Sequence, residues 1–385
     1  MGEKSLTIFI ISIISLLGLG IVMLLSTSVF ISERSDVYHD VNRQSIWLGM
    51  GIVLCAATAL IDYHFWYKSR WFWFVISIVA LILCFVPPIA QPANGSSRWI
   101  GLEAFGLGFA RIQPSEIAKI SLIFVLAGWC SKYYERASEI KCGFIYPIII
   151  SLIPVTLIAV ETDMGTAALL ICASLVLLFV SGSNIKMFIA TASVSVVVLS
   201  LAVWFNPNRL ERFIAFLDLE AHKTGFGLQQ WRAQLAMGEG GFAGLGLGEG
   251  REKLMYMPFA HTDFIFPMIG EELGARATLS VVLIFVLILV IGVSISNSAP
   301  DRFGKLLGFG LITLISLQAL LNIAVTTGCL PNKGLPLPFV SYGGSNLLFC
   351  LAAVGIILNI YRQGHEPVVD PDSKLLEGHR TLPRI

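Results

Sequence analysis

The chain has 385 residues, is 56% hydrophobic and only 13% charged, and carries a net charge of +1 with a mean hydropathy of +0.79. Soluble domains are about 25% charged, and at half that level a globule cannot cover its own surface, so much of the chain is expected to face hydrocarbon, where a central Asp, Lys or Arg costs ~2.5–3.5 kcal/mol. Disorder, a collagen-like chain and a secreted disulfide scaffold are excluded, and the balanced charge, with no basic arm, carries no signal for nucleic acid.

Ten segments approach the ~20 apolar residues that a bilayer-crossing helix needs: 5–30, 46–61, 71–90, 114–130, 144–160, 164–182, 186–205, 277–297, 306–328 and 342–361. The first resembles a signal peptide but is too long and has no A-x-A cleavage site after it, so it reads as a retained span. Segments 144–160 and 164–182 are short and separated only by Glu161, Thr162 and Asp163; two tightly joined spans are preferred to one re-entrant pair. The expected fold is therefore an all-α polytopic membrane protein, a single transmembrane domain over 1–362 followed by a flexible tail at 363–385. The seven cysteines contain no C-x-x-C and the six histidines no metal-ligand spacing, so neither a zinc site nor a disulfide framework is supported.

Lys and Arg in the short loops set the orientation. With ten spans, one side holds Lys4, Lys68, Arg70, Lys132, Arg136, Lys141, Lys186, Arg302, Lys305, Arg362, Lys374, Arg380 and Arg384, whereas the short loops of the other hold only Arg34, Arg43, Arg98, Arg111 and Lys333. Both termini are then cytoplasmic. Loops 91–113, 206–276 and 329–341 face outward, and the second is longer than a connection needs. Its segment 238–250 holds seven glycines, which suits either a flexible loop or backbone that approaches a ligand closely.

Four polar clusters sit at the outer edge, where an ionisable residue against a span is a functional hypothesis. In Arg111-Ile-Gln-Pro-Ser-Glu116-Ile-Ala-Lys119, Pro114 suits a first helical turn and Glu116 and Lys119 share a helix face; they line a pocket, or they neutralise each other and hold helices together. In Glu161-Thr-Asp163-Met-Gly-Thr166, the carboxylates call for Lys119, Arg111 or a divalent cation as partner, or Asp163 or Thr162 caps the next helix. Asp263 stands in an apolar stretch beside His261, downstream of Lys253, and serves as a general base if burial raises its pKa, or is a solvated or capping residue. The run from Leu330 through Lys333 and Ser341 to Asn346 brings irregular backbone to membrane depth, tolerated where it lines a cavity or plugs the protein. All four clusters fall on one side. Their convergence suggests one outer cavity for an anionic, lipid-linked substrate.

Five ordered motifs carry a family resemblance: Asn94-Gly95-x-x-Arg98-Trp99; Arg111-x-Gln113-Pro114-Ser115-Glu116-x-x-Lys119; Asp163-x-Gly165-Thr166; His261-Thr262-Asp263-Phe264-Ile265-Phe266 with Gly270-Glu271-Glu272; and Leu337-Pro338-x-x-Ser341-Tyr342-Gly343-Gly344-Ser345. Over residues 10–361 the chain resembles the SEDS proteins, the shape, elongation, division and sporulation family of FtsW, RodA and SpoVE. Ala260 before His261 and Asn332-Lys333-Gly334 look more like the FtsW branch than the RodA branch. The resemblance implies an inverting peptidoglycan glycosyltransferase that polymerises lipid II into β-1,4 glycan strands beside a class B penicillin-binding protein, at the division site of the cytoplasmic (inner) membrane.

By position, Asp263 matches the family's essential aspartate, proposed as the base that deprotonates the acceptor sugar. Arg111, Glu116, Lys119 and Asp163 match its pocket lining, Ser341 the polar start of the last span, and Lys253 and His261 stand with the pocket residues. A divalent cation, Mg²⁺ or Mn²⁺, on Asp263 and Asp163, or else Arg111 and Lys119, would offset charge on the leaving pyrophosphate, and no nucleotide is needed. The chain departs from the family's pattern in Phe259, where a Glu usually stands, and in Thr162 and Asn346. Rival readings are a lipid II flippase, for which no repeated halves are visible, and a RodA-like elongation polymerase.

Overall fold

Backbone in hydrocarbon has no water to bond, so its N–H and C=O groups must pair internally, and apolar runs therefore fold as helices. The computed structural model describes residues 3–28, 38–86, 90–93, 96–101, 111–252 and 262–365. Each of the ten apolar segments is a helix: α1 (Glu3–Ser28), α2 (His39–Leu60), α3 (His64–Leu83), α4 (Pro114–Lys132), α5 (Tyr146–Val160), α6 (Met164–Val180), α7 (Ile185–Trp204), α10 (Ile265–Asn297), α11 (Arg302–Thr326) and α12 (Gly344–His365). Among the described residues seven helices are long and apolar enough to cross a membrane, with Met164–Val180 and Ile185–Val197 as shorter apolar helices. Helix α4 meets a different environment. From Pro114 to Gly128 only Ile117 is not fully buried, so its surroundings are protein and it can carry Glu116 and Lys119.

α2 and α3 each begin seven residues before the expected span, because their first turns are polar or aromatic and pack on protein. Asp40 and Gln44 are buried; the Gln44 amide donates to Ser341 O at 3.4 Å and accepts from Gly343 N at 3.3 Å. α12 runs to His365, three residues into the expected tail; residues 366–385 lie outside the described residues. α5 and α6 are two separate helices. Their turn places Thr162 at φ +68, a left-handed conformation that a β-branched residue rarely adopts.

The 206–276 segment, expected as one long loop, is largely helical. It contains α8 (Pro207–Leu217), α9 (Leu228–Gly240) and the first turns of α10, which is broken at Gly274 (φ +79, ψ 179). These elements mix polar and apolar residues, so a search for apolar spans passes over them. The glycine-rich segment is neither loose nor turned toward the cavity. Leu245 N and Gly246 N donate to Glu271 O and Glu272 O at 2.9 and 3.0 Å. Gly244 sits at φ +84 where a Cβ would fall 2.2 Å from Glu272 O, so its glycine serves close approach to α10. Within loop 91–113, β1 (Ala90–Ala93), β2 (Ser96–Gly101) and β3 (Arg111–Ile112) form an antiparallel sheet in the order β1-β2-β3, with Gln91 opposite Trp99 and Gly101 opposite Arg111.

Ser5, Ser298, Tyr361 and His365 surround one small cleft, which brings the start of α1 and the ends of α10 and α12 to one end of the bundle. The expected outer loops meet at the other end: Gln113 N donates to Ser345 Oγ at 3.2 Å, Arg98 to Thr162 O at 2.8 Å, and Asn322 Nδ2 to Asp263 O at 2.8 Å.

Candidate active site

At that end lies a cavity of about 790 Å³. The α5–α6 turn contributes Thr162, Asp163, Met164 and Gly165; α7 gives Val203 and Trp204; α8 gives Arg209, Leu210, Arg212 and Phe213; and the segment before α12 gives Pro331 to Gly334. Asp263, at the head of α10, and Arg98, on β2, also face it. Four cations and two carboxylates thus share one space with an aromatic and aliphatic wall.

Local sequence explains these placements. Asp163 caps α6: Oδ1 accepts Thr166 N at 3.1 Å and Oδ2 accepts Thr166 Oγ1 at 2.9 Å and Gln113 Nε2 at 3.4 Å. The cap and the cavity position coexist, because each oxygen keeps lone-pair capacity. Arg98 donates to the carbonyls of Glu161 and Thr162, which steadies the left-handed turn that aims Asp163. Phe264 and Ile265 are buried at 1% and 0% exposure and anchor Asp263 from below. Gly334 crosses directly over Asp263, where a Cβ would stand 2.6 Å from Oδ2.

The electrostatics follow from that crowding. Burial, then the nearby Asp163 charge, raise the Asp263 pKa to about 6, against the opposing pull of Arg98. A carboxylate tuned there accepts a proton near neutral pH. Burial and the neighbouring Arg209 and Arg212 lower the Lys333 pKa, with Asp163 opposing, and burial and Arg98 lower that of Arg212. Cations that destabilise one another in a partly dry space are what a polyanion relieves.

The cavity unites only some of the residues expected from sequence. Asp263 and Asp163 line it together. Glu116 and Lys119 do not: they are 4% and 2% exposed and form a 2.8 Å ion pair inside the bundle, with Lys119 Nζ also donating to Gln318 Oε1 at 2.8 Å and Asn346 Nδ2 reaching Glu116 at 3.3 Å. The reason is depth, since the first turn of α4 already lies beneath the loops and its polar face turns toward α11 and α12. Ser341 is likewise buried, its hydroxyl accepting Leu337 N at 2.8 Å to close a backbone turn. Arg111 has an exposed side chain on β3, and its carbonyl accepts Ser345 Oγ at 3.0 Å. Neither Ser341 nor Arg111 is part of the cavity lining. Glu161 is buried behind the turn, its pKa raised to about 8 by burial and then Asp163. Lys253 and His261 lie outside the described residues.

Arg209 and Arg212 were not legible as site residues by motif, although their i, i+3 spacing on a short amphipathic helix was a usable signal. The stripe Gln318, Asn322 and Thr326, at i, i+4 and i+8 in an otherwise apolar span, was another. As to a cation, no group of three or more His, Cys, Asp or Glu is gathered among the described residues. Two carboxylates with spare lone pairs nonetheless fit Mg²⁺, which takes one or two carboxylates and completes its shell with water and substrate phosphates.

A family model described as "Cell cycle protein" (FTSW_RODA_SPOVE) matches residues 6–366. The chain is 37% identical over 357 residues to "Probable peptidoglycan glycosyltransferase FtsW" of Trichlorobacter lovleyi, covering 92% of both proteins. It is 32% identical over 357 residues to "Stage V sporulation protein E" of Bacillus subtilis, covering 92% of this chain and 96% of that one. Among solved structures, it superposes with a TM-score of 0.76 at 24% identity on a chain described under "Structural coordination of polymerization and crosslinking by a peptidoglycan synthase complex", covering 93% and 98% of the two chains. The rod shape determining protein RodA of Thermus thermophilus matches with a TM-score of 0.67 at 22% identity over 93% and 97%. These structural likenesses bear on the fold.

Proposed function

This chain belongs to the FtsW/RodA/SpoVE family of cell cycle proteins, and from that membership we propose that it is a multi-pass membrane peptidoglycan glycosyltransferase of cell division, acting on lipid II at the outer face of the membrane. The observation that carries the reading is Asp263, with its raised pKa, set opposite Arg98, Arg209, Arg212 and Lys333 in one cavity. A pyrophosphate-linked donor would seat its phosphates on these cations. Its isoprenoid tail would follow the apolar side chains of α7 and α8 toward lipid.

In the reaction, the acceptor sugar's 4-hydroxyl oxygen attacks the donor's anomeric carbon from the face opposite the pyrophosphate. The new C–O bond forms as the bond to pyrophosphate breaks, so the α linkage becomes β. Asp263 takes the hydroxyl proton. The lipid pyrophosphate leaves with its charge held by the four cations, and the bond that breaks supplies the driving force. Asp163 and Asp263 would hold a divalent cation, whose chemistry when bound is to offset charge on the leaving group. The class B penicillin-binding protein implied by the family resemblance is the proposed partner.

The test is polymerisation of lipid II by the purified full chain, alone and with its penicillin-binding protein, in Mg²⁺ or Mn²⁺. Glycan chains made by wild type and not by Asp263→Asn support the reading. Equal polymerisation by Asp263→Asn overturns the base assignment; lipid II crossing vesicles with no polymer made points instead to a flippase.

A further inference from the structure

Asn322 lies on α11, facing neither lipid nor the cavity, and is 2% exposed. Its Nδ2 gives both hydrogens to backbone carbonyls of different segments, Asp263 O at 2.8 Å and Leu335 O at 2.6 Å. Its Oδ1 is buried and without a partner among the described residues. That arrangement defines the amide's orientation, because a flipped amide would set its oxygen against two carbonyl oxygens. One side chain thus ties the peptide that carries Asp263 to the segment that crosses over it. One helical turn earlier, Gln318 Nε2 donates to Pro336 O at 2.9 Å, and Gln318 Oε1 accepts from Lys119 Nζ at 2.8 Å. The covering segment is held at both Leu335 and Pro336, but of these two tethers only Asn322 also reaches Asp263.

Gly334, next to Leu335, approaches so closely that a Cβ there would lie 2.6 Å from Asp263 Oδ2. The spacing between the two segments therefore sets how much room the carboxylate has toward the cavity. A misplacement of 1 Å at a reacting group costs about a hundredfold in rate. We propose that Asn322 is a positioning residue for glycosyl transfer: by bridging the carbonyls of Asp263 and Leu335 it fixes the loop bearing the base against the segment that covers it. The inference rests on the reading of Asp263 as the base. Asn322 itself touches no reacting atom.

Asn322→Asp is the first perturbation, since it keeps the shape and volume, removes both N–H donors and sets oxygen against the two carbonyl oxygens. In lipid II polymerisation by the full-length protein, kcat is expected to fall about tenfold to a hundredfold. The half-saturating lipid II concentration should change less than about threefold, because three of the four anion-binding cations, Arg98, Arg209 and Arg212, and the apolar wall of α7 and α8 lie off the segments that Asn322 ties. Asn322→Gln, which retains both N–H groups, should recover part of the lost kcat at similar thermal stability. If Asn322→Asp does not fold, Asn322→Ser takes its place, a short hydroxyl able to serve one carbonyl at most, with the same loss confined to kcat. Wild-type kcat in these variants overturns the proposal. So does a matched worsening of kcat and KM, or Gln performing no better than Asp when both are equally stable. Asp263→Asn is run in parallel: if it is inactive while Asn322→Asp polymerises normally, the tether alone fails, and if Asp263→Asn is active, the base assignment fails first.

Discussion

Lys119→Met removes a cation from the middle of the bundle. Lys119 Nζ is 2.8 Å from Glu116 Oε2 and 2.8 Å from Gln318 Oε1, with the paired side chains only 3% and 5% exposed. Without it, the Glu116 carboxylate keeps, among the described residues, the Asn346 amide alone, at 3.4 and 3.3 Å, and Gln318 Oε1 loses its Lys119 donor. Breaking one partner of a buried ion pair costs about 3–5 kcal/mol, a loss of more than a hundredfold in the folded-to-unfolded ratio. Replacing both charges, Glu116→Gln with Lys119→Met, removes the stranded carboxylate, so the double variant should be the more stable of the two. A double-mutant cycle then gives a coupling of at least ~2 kcal/mol. Equilibrium unfolding of the four proteins in detergent measures it. Because neither residue lines the cavity, lipid II binding by the folded fraction should weaken less than about threefold, within the scatter expected for an indirect contact. The structural reasoning is refuted if Lys119→Met is as stable as wild type yet binds lipid II tenfold more weakly, since the ammonium would then be facing substrate.

Three further outcomes are expected. Polymerisation should fall as pH drops through about 6, because the Asp263 pKa is raised and only the ionised form accepts a proton; at pH 5 roughly a tenth of the carboxylate is ionised, against roughly nine-tenths at pH 7. A rate constant from pH 7 to 5 in wild type would contradict it. Gly334→Ala should cut kcat at least about tenfold with the fold intact, since its Cβ would sit 2.6 Å from Asp263 Oδ2 and must displace it; single-turnover rates and thermal melting separate the two effects. Arg209→Ala and Arg212→Ala should each raise the lipid II KM about tenfold or more at low salt, as expected for a lost hydrogen bond to a charged group, and the difference should narrow as salt screens the site; titration at two ionic strengths reads it.

Several features could be read from residues in a line. Ten apolar segments become ten helices because a span must satisfy its backbone within itself, so its signal is local and needs no partner. Asp163 was legible as a cap, since capping chemistry depends on residues only three apart, and as a candidate for the cavity that it lines. Asp263 was legible through its apolar setting and motif.

What the line of residues could not decide is which face each polar group turns toward. Glu116 and Lys119 lie in one motif and Ser341 in another, at the same end of the molecule as Asp263, yet all three turn away from the cavity: the pair because α4 is enclosed by protein, Ser341 because its hydroxyl closes a backbone turn. Arg209 and Arg212 stand far from any motif in sequence, yet α8 folds back to aim them at the same cavity as Lys333. Asn322 acquires its meaning only when two distant carbonyls arrive within 2.8 and 2.6 Å of one nitrogen. Composition and periodicity determine where the chain meets lipid, since the cost of charge in hydrocarbon acts residue by residue. The site depends on tertiary structure because its parts interact over a few ångströms, and only packing brings residues 98, 163, 209, 263 and 333 within that reach.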